Sequence, residues 1–88
     1  MSNTLNRIKA HLADPNNYAY GPVRKPFVTS TGVDISIQQS DVHHCDSSSV
    51  EMGFTSSHAL IEEYGDGAVY NFVPLEVVAQ YIDHLESL

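Results

Sequence analysis

The chain has 88 residues, 42% of them hydrophobic, one cysteine and a formal net charge of -7. A chain this short buries only about 60 to 65% of its unfolded surface, which favours one small domain over residues 1–88 and argues against a deep enzyme cleft. The lone cysteine excludes an internal disulfide framework, no apolar run approaches the ~20 residues of a membrane span, and the opening Met-Ser-Asn-Thr-Leu-Asn-Arg lacks the apolar core of a secretory signal, so a soluble intracellular chain is expected.

The first element is a short helix in "SNTLNRIKAHLAD", with Leu5, Ile8 and Leu12 on one stripe, Ser2, Asn3 or Thr4 available as N-cap, and Asp14-Pro15 ending it. "PNNYAYGPVRKP" holds three prolines and a glycine and has no period, so a surface loop is expected there, with Tyr18 and Tyr20 pinning it to the body. In "FVTSTGVDISIQQS" the period becomes two: a hairpin turns at Thr31-Gly32, Val33, Ile35 and Ile37 face inward, and Asp34, Ser36 and Gln38 face out. "SVEMGF" repeats the alternation, with Val50, Met52 and Phe54 inward and Glu51 and Gly53 outward. Between these strands runs a long connection, residues 40–49.

"HALIEEYGDGAVYNFVP" reads as two apolar runs around Gly65-Asp66-Gly67, although residues 59–64 also suit a single helical turn. "AVYNFV" is apolar on both faces except at Asn71, the pattern of an interior strand. Pro74 sits at a helix start, and "PLEVVAQYIDHLESL" is the clearest helix. Its apolar side chains, from Leu75 to Leu88, span more than half the circumference, so part of it is expected to meet a partner or a second copy of the chain in a homodimer. The expected fold is α+β: an N-terminal helix, an antiparallel sheet of four to five strands, and a C-terminal amphipathic helix packed on the sheet.

Charge divides the chain in two. Arg7, Lys9, Arg24 and Lys25 all lie in residues 1–25 against Asp14 alone, a basic helix and loop; residues 26–88, an acidic sheet and helix, hold the remaining carboxylates and no Lys or Arg. Such a field repels nucleic acid and anionic membranes and attracts basic protein surfaces over about a Debye length. The basic segment with its two tyrosines has the ingredients of a small nucleic-acid site, but the field of the rest opposes that role.

The segment "DVHHCD" has the residue types of a metal or nucleophile site. On extended chain His43 and Cys45 share one side while His44 points away, so two ligands meet where a structural zinc needs four. A reactive Cys45 thiolate needs a nearby cation or base, and Asp41, Asp46 and Glu51 surround it instead. No G-x-S-x-G elbow, phosphate loop or paired zinc motif is present. The expectation is therefore of no enzyme activity and no cofactor, with a metal-binding or thiol-dependent protein centred on His43, His44 and Cys45 as the alternative.

"ISIQQSDVHHCDSSSVEMGF" together with "VYNFVPLEVVAQYIDHL" resembles small acidic proteins encoded by bacteriophages and prophages, which carry a V-x-V-Q-x-S strand, an aromatic-Cys pair, V-E-V-G-F, and Y-V-P-x-E-V-V opening a last helix. The matching positions are Ile35 to Ser40, His44-Cys45, Val50 to Phe54 and Phe72 to Val78, and His44 stands in place of the aromatic residue. The resemblance covers roughly residues 33–85, its motifs are structural, and it supplies no activity to carry over. It implies instead an inhibitor of a host system, anti-CRISPR proteins among them, acting in the cytoplasm of a bacterial host cell. Joined to the charge, it predicts a protein that occupies a basic surface of a host protein or ribonucleoprotein, its carboxylates standing in for phosphates. The expected contacts are Asp34, Asp41, Asp46, Glu51, Glu62, Glu63 and Asp66.

Overall fold

The computed structural model describes residues 3–53, 55, 58–65 and 67–88. Helix α1 (Thr4–Ala13) is followed by strands β1 (Tyr18–Tyr20), β2 (Val23–Arg24), β3 (Phe27–Val28), β4 (Asp34–Gln38) and β5 (Ser49–Gly53), a 3-10 turn (Glu62–Tyr64), β6 (Val69–Pro74) and helix α2 (Leu75–Glu86). The expected α+β architecture is present. Strands β3 to β6 form a four-stranded antiparallel meander in sequence order, and β1 and β2 form a separate two-stranded ribbon.

The period-two pattern places Ile35 and Ile37 of β4, Val50 and Met52 of β5, and Tyr70 and Val73 of β6 in one core, all at most 1% exposed. Ile8 of α1 and Val78, Tyr81 and Ile82 of α2 close that core, so both helices cover the same face of the sheet. Full burial of each large aliphatic side chain contributes about 1.5 to 3 kcal/mol, which is why these short strands depend on the helices for stability. Thr4 bonds Asp83, and Arg7 pairs with Glu86. Because both pairs are three residues apart on each helix, α1 and α2 run side by side in the same direction.

Several expectations are corrected. The segment after α1 is not all loop: Gly21, at φ 49°, turns β1 into β2. Tyr18 and Tyr20 do not pin the ribbon by burial, since they are 39% and 72% exposed; Tyr18 instead lies beneath the Arg24 guanidinium, 5.1 Å from its ring centre. The hairpin turn falls where expected, with Gly32 at φ 85° and its N–H bonded to the Thr29 carbonyl, but Val33 belongs to the turn and is 41% exposed. Gln38 lies on the outer face yet is only 4% exposed. Extending the register Phe27↔Ile35 by three residues places Arg24 opposite it. The Gln38 amide there accepts from the Arg24 N–H (2.7 Å) and donates to the Arg24 carbonyl (3.0 Å), replacing a strand pairing with a side chain.

Strand β6 is an edge strand, not an interior one. Its register to β5 slips between Val50↔Val73 and Met52↔Tyr70, so Glu51 faces both Asn71 and Phe72. This bulge lets Tyr70 and Val73, three residues apart, both point inward, and it turns Phe72 outward at φ 51°. Residues 62–64 adopt the helical-turn alternative, and Gly65 bridges Tyr70. A Cβ at Gly65 would lie 2.1 Å from the Val69 carbonyl oxygen, so only glycine permits that approach. Phe54 and Asp66 lie outside the described residues. The breadth of the apolar face of α2 follows from its two neighbours, the sheet and α1; Leu75, Val78, Ala79, Tyr81 and Ile82 are buried, while Leu88, beyond the helix end, is 82% exposed.

Candidate functional site

The connection between β4 and β5 is ordered by its own polar groups. Gln39 donates through Nε2 to the carbonyls of Asp46 (2.9 Å) and Ser49 (3.1 Å). One Asp46 carboxylate oxygen accepts from the Ser48 N–H (2.9 Å), the Ser49 hydroxyl (2.8 Å) and the Ser48 hydroxyl (3.1 Å). These bonds, led by the Ser48 N–H, hold the Asp46 carboxyl below the usual carboxylate range. Asp46 is thus ionised over a wider pH range, though part of its hydrogen-bonding capacity is spent on the loop itself.

The loop is turned over residues 41–44, and its two histidines face different ways. Asp41, His43, Cys45 and Asp46 line one open cavity of about 460 Å³. His43 Nδ1 lies 2.6 Å from the Ser40 hydroxyl, and the Cys45 thiol donates to the Ser40 carbonyl at 3.4 Å. The Ser40–His43 contact is local to a turn, and no side chain among the described residues orients the other ring nitrogen as a nucleophile's base requires. Cys45 is half-buried on the cavity wall. Among the described residues, no group of three or more His, Cys, Asp or Glu side chains is placed to hold a metal ion.

His44 turns the other way, over the outer face of the sheet. Its N–H donates to Glu51 Oε2 at 2.7 Å, and its Nδ1 is 3.2 Å from the same oxygen. Its carbonyl accepts from the Phe72 N–H at 3.0 Å. Glu51, His44 and Phe72 are thereby tied together where the bulge interrupts the ladder. Beside them Ser36, Glu51, Gly53, Ala68 and Val69 border a groove of about 220 Å³. Sequence reasoning missed Phe72 as a surface residue, because its exposure comes from a register slip that apolar patterning does not encode.

Folding sharpens the charge imbalance. Arg7 spends its guanidinium on a two-pronged pair with Glu86, at 2.8 and 2.7 Å, and the Ser30 N–H reaches the same carboxylate at 2.7 Å. Arg7 first, then Ser30, pull the Glu86 carboxyl down to about 2. Arg24 is 8% exposed and donates to the carbonyls of Gln39 (2.6 Å) and Leu12 (2.9 Å), capping the end of α1. Desolvation of His11, which packs against Phe27, pushes its imidazole below its ordinary pKa, and the Arg24 charge adds a smaller push in the same direction. Lys9 and Lys25 are then the exposed basic side chains, against exposed carboxylates at Asp14, Asp34, Asp41, Asp46, Glu62, Glu63, Glu76 and Asp83.

The sequence-derived contacts do not form one patch. Asp34 opens β4 on the outer face, and Glu51 lies on the same face of β5. Asp41 and Asp46 stand in the loop beyond the other end of β4, about 13 Å along the strand direction. Glu62 and Glu63 are exposed on the 3-10 turn beside β6, and Asp66 is outside the described residues.

No protein-family model, curated protein or solved structure matches the chain. Among the described residues, no helix is long and apolar enough to cross a membrane.

Proposed function

We propose that this chain is a non-enzymatic binding protein of the phage inhibitor type, which occupies a basic surface on a host nucleic-acid-handling complex, such as a CRISPR effector, and so blocks access of DNA or RNA. The observation that supports it is the consumption of cations by the fold. Arg24 is buried and Arg7 is paired with Glu86, which leaves Lys9 and Lys25 against the exposed carboxylates. A carboxylate surface of this kind competes for Arg and Lys side chains that otherwise hold phosphates, and long-range attraction speeds its association.

The test is association with a purified CRISPR effector ribonucleoprotein, measured from about 0.05 to 0.5 M salt, a range over which the Debye length falls severalfold. The expected result is an association rate that drops steeply with salt, falls further when Asp34, Asp41 and Glu62 are together replaced by lysine, and is accompanied by loss of target DNA binding. Association that ignores both salt and charge reversal would overturn the proposal. So would association that leaves DNA binding intact.

A further inference from the structure

The sheet has one face sealed by both helices and one that neither helix covers. On the bare face Val28 is 57% exposed and Val69 44%, and Phe72, turned out by the bulge, is 51% exposed. Apolar side chains in such positions are individually ordinary. Their setting is not: they share the face with Asp34 and Glu51, and the groove beside Glu51, which passes over Gly53, has no Lys or Arg among the described residues that line it.

Two features mark this spot as built for contact. Phe72 holds a left-handed backbone, φ 51°, that is unfavourable for a bulky aromatic residue. The fold sustains it with the Val50↔Val73 and Met52↔Tyr70 pairs on either side and with the bond from the Phe72 N–H to the His44 carbonyl. The groove, at about 220 Å³, is below the ~300 to 1,000 Å³ of small-molecule pockets and suits one inserted side chain. Its wall includes Glu51, of which only Oε2 is engaged, by His44.

Resting on the recognition of a basic surface proposed above, we propose that the uncovered sheet face is a docking site for an extended, arginine-bearing segment of the partner protein. One arginine enters the groove over Gly53 to pair with Glu51, and Phe72 lies against the segment as its aromatic anchor. Charge complementarity selects the occupant, because a carboxylate beside an apolar wall and an exposed ring suits a planar cation that pairs and stacks at once. Arginine fits those demands better than lysine, whose compact, strongly hydrated ammonium does not stack. Aromatic and arginine anchors of this type dominate binding energy at interfaces.

The test uses the whole chain, isotope-labelled, titrated at low salt with a synthetic peptide alternating arginine and valine, and with versions carrying lysine or citrulline in place of arginine. The expected result is amide shifts concentrated at Ser36, Glu51, Gly53, Val69 and Phe72, with the citrulline peptide at least about tenfold weaker, equivalent to 1.4 kcal/mol. Gly53→Ala keeps the fold, since the added Cβ meets Ser36 Cβ at 3.7 Å and the Ala68 carbonyl at 3.9 Å, yet it fills the groove floor. It is expected to weaken the arginine peptide about fivefold, and Glu51→Gln, which can still accept from His44, about tenfold. Shifts centred on residues 40–47 or on Glu62 and Glu63 would overturn this docking face while leaving the charge-based function standing. Equal affinity for the lysine peptide would overturn the arginine assignment. No binding of either cationic peptide would overturn the docking site and the basic-surface proposal together.

Discussion

The two faces of the four-stranded sheet are made by the same strands and differ in nearly everything else. Toward the helices, Ile35, Ile37, Val50, Met52, Tyr70 and Val73 are at most 1% exposed. On the reverse lie Asp34, Ser36, Glu51, Gly53 and Val69, with two carboxylates and an open groove. The first face supplies the stability and tolerates little change; the second is released from packing, so its chemistry is free to serve recognition. Gln38 is the exception, an outer-face residue that stabilises the fold because Arg24 lies over it.

The contrast is broken most severely from the core side. Ile37→Ala is expected to cost about 2 to 5 kcal/mol in urea unfolding, while Ser36→Ala, its neighbour on the other face, costs at most about 1 kcal/mol, the loss of the bond its hydroxyl accepts from Gln38 Nε2 at 3.1 Å. Similar costs for the two would show that the faces are not energetically distinct. Gln38→Leu is expected to cost about 1 to 3 kcal/mol despite its outward register, by stranding the Arg24 N–H and carbonyl. A neutral result would place Gln38 with the free outer residues.

Next comes the fastener between the helices. Arg7→Ala is expected to cost about 1 kcal/mol, discounted because the side chain is 39% exposed, and to be salt-sensitive. Its pH signature is specific. The Glu86 carboxyl titrates at about 2 in the folded chain, below its ordinary 4.5, so its contribution is complete above the ordinary value and is lost as pH falls toward 2. His11, lowered by desolvation, acts in the same direction at higher pH: the unfolded chain takes up the proton first, so stability begins to decline as pH falls through about 6.5. Equilibrium unfolding against pH should therefore show two acid-side declines, the upper one absent in His11→Phe and the lower one reduced in Glu86→Gln.

The smallest effect is at the bulge. Phe72→Gly relieves the left-handed backbone while removing a ring that is 51% exposed, so the chain is expected to gain about 0.5 kcal/mol. A loss above about 1 kcal/mol would mean that the Phe72 ring belongs to the packed face after all.

Much of this was legible from the residues. Ile35 and Ile37, Val50 and Met52, and the 3.6-residue pattern after Pro74 gave strands and a helix, because apolar periodicity at two or at 3.6 residues reports which side is buried. The separation of His43 and Cys45 from His44 matches the sequence expectation, but its cause is different: residues 41–44 are turned, not extended, and His44 is drawn away by Glu51 and Phe72. What local reasoning missed has one cause. Arg24, Gln38 and Phe72 take their roles chiefly from partners 12 residues away or more, or from a one-residue slip of register, and no short-range pattern carries that information.

By itself, then, the sequence determined the fold class, the sealed face of the sheet and the sign of the protein's field, since these depend on composition and period. Only the tertiary structure decided which charges remain for a partner. Pairing Arg7 with Glu86 and burying Arg24 against Gln38 requires the helices and the ribbon to be assembled, and that assembly leaves the carboxylates outside with few cations to answer them. The "DVHHCD" loop likewise resolved into two sides only when Glu51 and Phe72 met the backbone of His44 across the sheet, drawing interest from the loop cavity to the bare strands.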